Sequence, residues 1–360
     1  MSLHKAYCTF PVYPFLFLIL SRLLSLNSSA CTHKKGVSDF LRLYGSYNKE
    51  KKMKKKIQME TIKAHVQVLQ SIKDEVSIKG RLEKYGYAII KGVLDPEEIK
   101  KARGYFDEWY LSDQNKQVRD LHKIIDPHGI FKFAEAGHQK HAWYIRTREK
   151  VQAPFKEIWD TDDLVVSHDG SCFIPSDAKN KDSNWTHTDQ APNKKGLICV
   201  QGFVSLTDNE ERTFRVYSGS HKLHESLLKD SEKKGDWVRI DDQWVKDNDS
   251  LKRVLKVPAG SLVLWDSRCF HQNQYGKPGE ERIVQYVCYL PKNNPGNTKK
   301  LQEKRRLYFD TRRTTSHWPY PIHVNGAQPQ TYGDDTRKID YSKLSKIDLS
   351  EFESDIKRLI

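Results

Sequence analysis

Apolar positions first become regular along the chain near residue 85, where the folded core is predicted to begin. Tyr85–Gly92 is a run of aromatic and β-branched side chains, which predicts a strand. Asp95 and Pro96 then supply a helix cap and a first-turn proline, and apolar residues recur at helical spacing over residues 99–110. We therefore expect a strand followed by an amphipathic helix.

Beyond residue 164 the pattern changes to short apolar runs separated by clusters of Gly, Pro, Asn and Asp. Regularly spaced strands of this kind predict a sandwich or barrel, and not a sheet of alternating strands and helices. The predicted strands are residues 164–168, 197–206, 214–216, 261–265 and 283–290. Helical patterns before and after them predict a mainly β fold with flanking α-helices.

Three regions follow from these changes in pattern. Residues 1–60 are predicted to be an apolar and then basic leader, and residues 61–300 a β-rich domain with N-terminal helices. Residues 301–360 are predicted to be a basic and helical extension packed on the core. His317 and Trp318 lie in this extension beside two prolines; they could close a pocket from the C-terminal side, but simple packing is favoured.

Positive charge is concentrated in the leader. The chain of 360 residues carries a net charge of +14, and its first 60 residues contribute +8 through eleven basic and three acidic side chains. A solvated leader is favoured over a basic arm that attracts nucleic acid or a membrane. Residues 49–56 hold no aromatic side chain for base stacking, so a nucleic-acid partner is not expected.

The N-terminal segment has two interpretations. Phe10–Leu20 is strongly apolar, and Ser28–Ala30 resembles a cleavage site, as in a secretory signal or anchor. Alternatively, translation begins near Met53, in a sequence typical of a cytoplasmic protein. We expect a cytoplasmic protein in the second case and a secretory or membrane-associated one in the first, with membrane contact only through this segment if it is retained.

The six cysteines do not form a CxxC pair, so a zinc site is not expected. Four of them lie in apolar runs, where a free thiol behaves as a small hydrophobic side chain. This distribution favours a reducing compartment over a disulfide-linked scaffold.

A His-x-Asp pair is the first candidate for chemistry. His187 and Asp189 lie two residues apart, so in an extended chain both side chains point to the same side and can bind one ion. His271, which follows a strand, is the best third ligand. Two histidines and one carboxylate form a facial triad that suits Fe(II) and leaves coordination positions open for a 2-oxo acid and O₂.

Arg282 is the residue predicted to bind the 2-oxo acid. It lies eleven residues after His271, and we expect it on the neighbouring strand of a hairpin whose turn is Gln274–Gly279. An arginine binds a carboxylate through two parallel hydrogen bonds, which the distal carboxylate of 2-oxoglutarate requires. Gln201, a polar residue in an apolar run, and His168, at the end of a predicted strand, are further candidates for binding this co-substrate, although packing on the strand face is favoured for His168.

In their order, these motifs resemble the phytanoyl-CoA dioxygenase-like (PhyH) family of Fe(II)/2-oxoglutarate oxygenases. The resemblance covers Tyr85 to Pro291, and its matching segments are residues 86–99 (GYAIIKGVLDPEEI), 185–190 (WTHTDQ), 216–222 (VYSGSHK) and 259–273 (AGSLVLWDSRCFHQN), with Arg282. It implies a double-stranded β-helix (jelly-roll, cupin-like) core. It also implies iron bound by His187, Asp189 and His271, and 2-oxoglutarate bound by Arg282. Asn273 stands where the family often has a hydroxyl side chain that helps to bind the co-substrate.

The expected function is hydroxylation of a C–H bond in a small molecule, with release of succinate and CO₂. Two alternatives stay open from the sequence. One is a metal-binding jelly-roll protein without 2-oxoglutarate chemistry, and the other is a basic protein associated with nucleic acid.

Overall fold

The computed structural model describes most of the chain beyond residue 76. The described residues are 52–53, 55–63, 77–116, 119–120, 128–133, 135–179, 182–324, 328–329, 331, 333–344 and 347–360. Contacts divide the chain into two compact units, Met1–Leu69 and Gln70–Ile360. In the first unit residues 55–63 are helical and exposed, and the predicted apolar leader lies outside the described residues. No helix in the described ranges is long and apolar enough to span a membrane.

The second unit combines short strands with helices at both ends of its sequence. Its described helices are α1 (Ile78–Tyr85), α2 (Pro96–Leu111), α3 (Lys140–Arg146), α4 (Glu149–Trp159), α5 (His224–Leu227), α6 (Asp242–Asp247), α7 (Lys299–Asp310) and α8 (Glu353–Leu359). Its described strands are β1 (Tyr87–Ile90), β2 (Ile130–Phe131), β3 (Leu164–Val166), β4 (Ser171–Ile174), β5 (His187–Thr188), β6 (Val200–Ser205), β7 (Phe214–Tyr217), β8 (Val238–Arg239), β9 (Lys252–Val254), β10 (Leu262–Asp266), β11 (His271–Asn273), β12 (Arg282–Val287) and β13 (Tyr289–Pro291).

All strand pairs are antiparallel. One sheet has the order β1-β10-β6-β12-β4-β2, a second has the order β8-β5-β11-β7-β9, and β13 pairs with β3. The predicted mainly β fold with flanking helices is therefore confirmed. The helix expected after β1 is also confirmed, and Asp95 and Glu98 form a reciprocal capping box at its start.

The six-stranded sheet is covered on both faces. Leu262 and Leu264 of β10 belong to the same apolar cluster as Phe106 of α2. The alternate residues Val263 and Trp265 belong to a second cluster, with residues of β7 in the other large sheet. Because side chains alternate along a strand, one face carries the helices and the other packs on the five-stranded sheet.

The hairpin predicted around residues 274–279 is wrong. β11 lies in the five-stranded sheet and β12 in the six-stranded sheet, so the two strands do not pair with each other. Arg212 is fully buried beneath this connection, and its guanidinium donates to the carbonyl groups of Tyr275 and Glu280. These contacts with backbone carbonyl groups hold the connection as it passes from one sheet to the other. The turn residues in the sequence had instead predicted a hairpin within one sheet.

The C-terminal residues contribute to the helix-facing cluster. Phe352, Ile356 and Leu359 are buried in it. The basic helix α7 precedes them and buries Arg305, which donates hydrogen bonds to the Pro319 carbonyl and the Asn297 side chain. These contacts attach the extension to the β-rich unit.

Candidate metal centre

Strand pairing brings the predicted triad together. His271 lies directly opposite His187 in the pairing of β11 with β5, and Asp189 follows β5. Asp189 Oδ2 is 3.6 Å from His187 Nε2 and 3.2 Å from His271 Nε2. The possible ligand atoms of the three residues all lie within 4.8 Å of one another. A donor set of two imidazoles and one carboxylate fits Fe(II).

Backbone carbonyl groups fix the orientation of both imidazoles. His187 Nδ1 lies 3.0 Å from the Trp185 carbonyl oxygen, and His271 Nδ1 lies 2.9 Å from that of Cys269. A carbonyl oxygen only accepts, so in each ring Nδ1 carries the proton and Nε2 keeps a free lone pair. This arrangement of the outer hydrogen bonds is typical of metal-binding histidines.

The protonation states also suit a metal. Burial lowers the pKa of His271, and the nearby His187 lowers it further, so this imidazole is held in its neutral form. Burial opposes ionisation of Asp189, but the two imidazoles hold the pKa of this carboxyl well below its usual value. A neutral imidazole and an ionised carboxylate are the forms that bind a cation.

Gln201 orients the carboxylate ligand. Its Nε2 donates to Asp189 Oδ2 at 3.0 Å, and the residue itself is buried on β6. The sequence suggested Gln201 as a residue that binds the co-substrate; the structure places it on the wall of the cavity with its amide directed to Asp189.

The ligands open into a cavity of about 160 Å³ with an aromatic wall. The His187 ring stacks against Trp185, with centroids 4.9 Å apart, and against Trp237, at 5.4 Å. Trp237 is 52% exposed, so this wall continues from the triad to the surface. An aromatic wall of this kind favours contact with apolar or flat groups.

Arg282 is a buried cation that forms no ion pair with any of the described residues. It is 1% exposed at the start of β12, its Nη1 lies 2.9 Å from Cys172 Sγ, and its guanidinium lies over the Phe203 ring at 5.2 Å. Its Nη2 is buried and has no hydrogen-bond partner in the described part of the chain. A buried guanidinium in this state is costly, and binding a carboxylate would satisfy it.

The two remaining predicted residues lie in different places. Asn273 is on the cavity wall, and its amide donates to the Tyr286 hydroxyl at 3.1 Å. His168 is not part of that wall. It lies in a buried cluster, 4.8 Å from the His138 ring and 5.8 Å from the Trp143 ring.

Several residues of the cavity wall were not predicted from the sequence. Trp185 precedes His187 by two residues, so the alternation of an extended strand could have indicated that it shares the face of the triad. Lys132 and Asp169 also lie on the wall, and burial raises the pKa of Asp169 to about 7. His317, for which simple packing was favoured, lines the cavity as well.

A family model described as phytanoyl-CoA dioxygenase (PhyH) matches residues 82–274, which is more than half of the chain. The chain belongs to the PhyH family. The family resemblance and the enzyme class predicted from the motifs are thereby confirmed, with Fe(II) and 2-oxoglutarate as the cofactor and co-substrate. The matched range contains the triad, Gln201 and Asn273, and ends before Arg282.

Relatives of this PhyH-family protein include the "Ava biosynthesis cluster protein O" of Aspergillus versicolor. It is 26% identical over 269 residues, which cover 67% of this chain and 85% of that protein. A "Putative phytanoyl-CoA dioxygenase" of Dictyostelium discoideum is 21% identical over 274 residues, covering 62% and 78%.

Solved structures with similarity to this PhyH-family protein include the epimerase SnoN, in complex with Fe3+, alpha ketoglutarate and nogalamycin RO. It has a TM-score of 0.44 and 17% identity, with 59% of this chain and 82% of that chain covered. HygX from Streptomyces hygroscopicus, with nickel and 2-oxoglutarate bound, has a TM-score of 0.41 and 14% identity, with 59% and 85% covered.

Proposed function

We propose that this PhyH-family protein hydroxylates a C–H bond of a small molecule in an Fe(II)- and 2-oxoglutarate-dependent reaction that yields succinate and CO₂. The observation that carries the proposal is the triad of His187, Asp189 and His271, in which the unprotonated Nε2 of each histidine and the Asp189 carboxylate lie close enough together to bind one metal ion. A triad leaves half of an octahedral coordination sphere for exogenous ligands, as a chelating 2-oxo acid and O₂ require.

The strand order supports a double-stranded β-helix as the scaffold of this site. From β4 to β7, and again from β10 to β12, successive strands alternate between the two large sheets. In such a fold, residues distant in sequence meet between the sheets. His187 and His271, which are separated by more than eighty positions, become neighbours through the pairing of β5 with β11 in the five-stranded sheet.

Arg282 and Asn273 are proposed to bind 2-oxoglutarate. The buried guanidinium of Arg282 lacks an anion among the described residues, and its planar donors match a carboxylate in two parallel hydrogen bonds. Tyr286, which also lines the cavity, links these two residues: it accepts a hydrogen bond from Asn273 and interacts electrostatically with Arg282. His168, which was also expected to contact the co-substrate, is separated from this group.

The chain's own side chains account for positioning and for an apolar surface beside the triad. Iron, when bound, supplies the activation of O₂ and the decarboxylation of the co-substrate. Gln201 holds the Asp189 carboxylate in place, and the carbonyl groups of residues 185 and 269 hold the two rings. The aromatic wall formed by Trp185 and Trp237 offers apolar surface against which a substrate can pack beside the triad.

A direct test measures Fe(II)-dependent formation of succinate from 2-oxoglutarate by the purified full-length protein. We expect turnover by the wild type and none after His187→Ala or Asp189→Ala. His323→Ala serves as a control, because His323 is an exposed histidine outside the cavity wall. If the wild type neither forms succinate nor binds 2-oxoglutarate in the presence of Fe(II), the proposal is wrong, and a metal-binding role without this chemistry takes its place.

A further inference from the structure

We infer that His317 binds the end of the 2-oxo acid that lies next to the metal, so that the C-terminal extension completes the co-substrate site. This inference rests on the function proposed above. It concerns a residue outside the range matched by the PhyH model, which ends at residue 274.

The backbone around His317 is fixed on its N-terminal side by hydrogen bonds to the β-rich core. The Gly137 amide donates to Thr314 Oγ1 at 3.0 Å. The His168 amide donates to Thr315 Oγ1 at 3.0 Å, and the Thr315 amide donates to the His168 carbonyl at 2.9 Å. The buried segment at His168 therefore holds this part of the extension.

The C-terminal side of His317 is also fixed. The Trp318 ring is buried against Cys199 and Cys288, and the Lys194 ammonium lies 4.5 Å from its centre. The hydroxyl group of Tyr320 donates to the Pro291 carbonyl at 2.8 Å. With anchors before and after it, His317 is presented to the cavity by a defined backbone.

The His317 side chain has an unmet need for a polar partner. Its Nε2 is buried and forms no hydrogen bond with any described residue. A buried imidazole nitrogen without a partner costs free energy, whereas packing alone would be served equally well by an apolar side chain. A polar group of a bound molecule would remove this cost.

The position of His317 indicates which part of a bound 2-oxo acid it would contact. It lines the cavity together with the triad, and Asp189, His271 and His187 are among its electrostatic neighbours. It is nevertheless not a metal ligand, because the cluster of potential ligand atoms in the described residues contains the triad alone. The group that it contacts therefore lies beside the metal and belongs to a ligand bound there.

Arg282 occupies a different part of the site. Its guanidinium lies against Cys172 and Phe203, and none of these three residues is on the cavity wall that His317 lines. In a 2-oxo acid that extends from the metal to Arg282, the far carboxylate meets the arginine. The carboxylate and keto oxygens bound near the triad meet His317 instead.

The experiment compares two 2-oxo acids on the Fe(II)-loaded full-length protein under anaerobic conditions. 2-Oxoglutarate carries the distal carboxylate and pyruvate lacks it. Dissociation constants are read from the visible charge-transfer band that a chelated 2-oxo acid produces with Fe(II). Fe(II) affinity and thermal unfolding are measured in parallel for each variant.

We expect His317→Leu to weaken binding of both acids by roughly tenfold, the effect of one lost hydrogen bond. His317→Gln should recover much of this affinity because an amide can replace the imidazole donor. Arg282→Met should weaken 2-oxoglutarate but not pyruvate. His323→Leu, an exposed change on the same segment, should have no effect.

Unchanged affinity of His317→Leu for both acids would overturn the inference while leaving the proposed function intact. Loss of Fe(II) affinity in proportion to the loss of acid binding would also overturn it, because His317 would then support the metal ligands. If the wild type itself gives no Fe(II)-dependent band with 2-oxoglutarate, the proposed function fails, and this inference fails with it.

Discussion

Replacing Gln201 by leucine should weaken metal binding without unfolding the protein. The Gln201 amide donates to Asp189 Oδ2 at 3.0 Å. Both imidazoles also approach this oxygen, at 3.2 and 3.6 Å, but as metal ligands their unprotonated Nε2 atoms would not donate to it. With a metal bound, Gln201 is therefore the side chain, among the described residues, that donates a hydrogen bond to the Asp189 carboxylate.

The expected magnitude follows from this geometry. A hydrogen bond to a charged group contributes about 1.5–3 kcal/mol, and leucine cannot replace it. Since about 1.4 kcal/mol corresponds to a tenfold change, the metal dissociation constant should rise by roughly 10- to 100-fold. In other proteins, mutation of a residue that hydrogen-bonds a metal ligand weakens metal binding by about 10- to 100-fold, which is the same order.

The assay is calorimetric titration of the metal-free protein with Fe(II) under anaerobic conditions, or with Co(II) as a stable substitute. Gln243→Leu is a matched control, because Gln243 Nε2 donates to Asp247 Oδ1 at 2.8 Å, but this pair is exposed. An exposed pair of this kind should contribute little. Wild-type metal affinity in a folded Gln201→Leu protein would refute the idea that this amide holds Asp189 for the metal.

Three further outcomes follow from other buried groups. Arg282→Met should raise the melting temperature of the metal-free protein, because it replaces a buried guanidinium that has no carboxylate partner among the described residues; a lower melting temperature in differential scanning calorimetry would contradict this. Burial lowers the pKa values of His138 and His141 to about 3, below the ordinary unfolded value of 6.5. The unfolded chain therefore binds more protons between these pH values, and the free energy of unfolding should fall as the pH drops below 6.5, by up to about 1.4 kcal/mol per pH unit for each histidine. Urea titrations at pH 7 and pH 5 test this, and His138→Gln should reduce the slope. Leu359→Ala should cost about 2–5 kcal/mol in the same titrations, because this side chain is fully buried; a loss below 1 kcal/mol would mean that the C-terminal helix contributes little.

The proximity of the candidate ligands could in part be predicted from the sequence because the spacing of His187 and Asp189 reflects a local rule. His187 and Asp189 share a face through the alternation of an extended chain, and His271 follows a recognisable strand. The positions of β1 and of the helix starting after Asp95 were predicted for the same reason, since caps and periodicity act over a few residues. The leader at residues 1–60 stays a prediction.

What could not be predicted depends on contacts between distant segments. β12 belongs to the six-stranded sheet because the connection before it, held by Arg212, crosses from the other sheet. The turn residues in the sequence do not show which sheet the following strand joins. His168 was expected at the co-substrate because it follows a strand, but its carbonyl and amide are used to hold Thr315. The place of His317 on the cavity wall depends on the same long-range contacts.

The corrected position of Arg282 bears on the choice of co-substrate. In a hairpin, Arg282 would have lain beside His271 on one sheet, and a short acid could have bridged the metal and the arginine. Instead the ligands His187 and His271 lie on the five-stranded sheet and Arg282 on the six-stranded sheet. Packed sheets lie about 10 Å apart, so a molecule that chelates the metal and also reaches the guanidinium must extend across the space between them. A dicarboxylic 2-oxo acid with a two-carbon spacer meets this requirement better than a shorter one, so under the proposed function the packing of the two sheets itself selects for the length of 2-oxoglutarate.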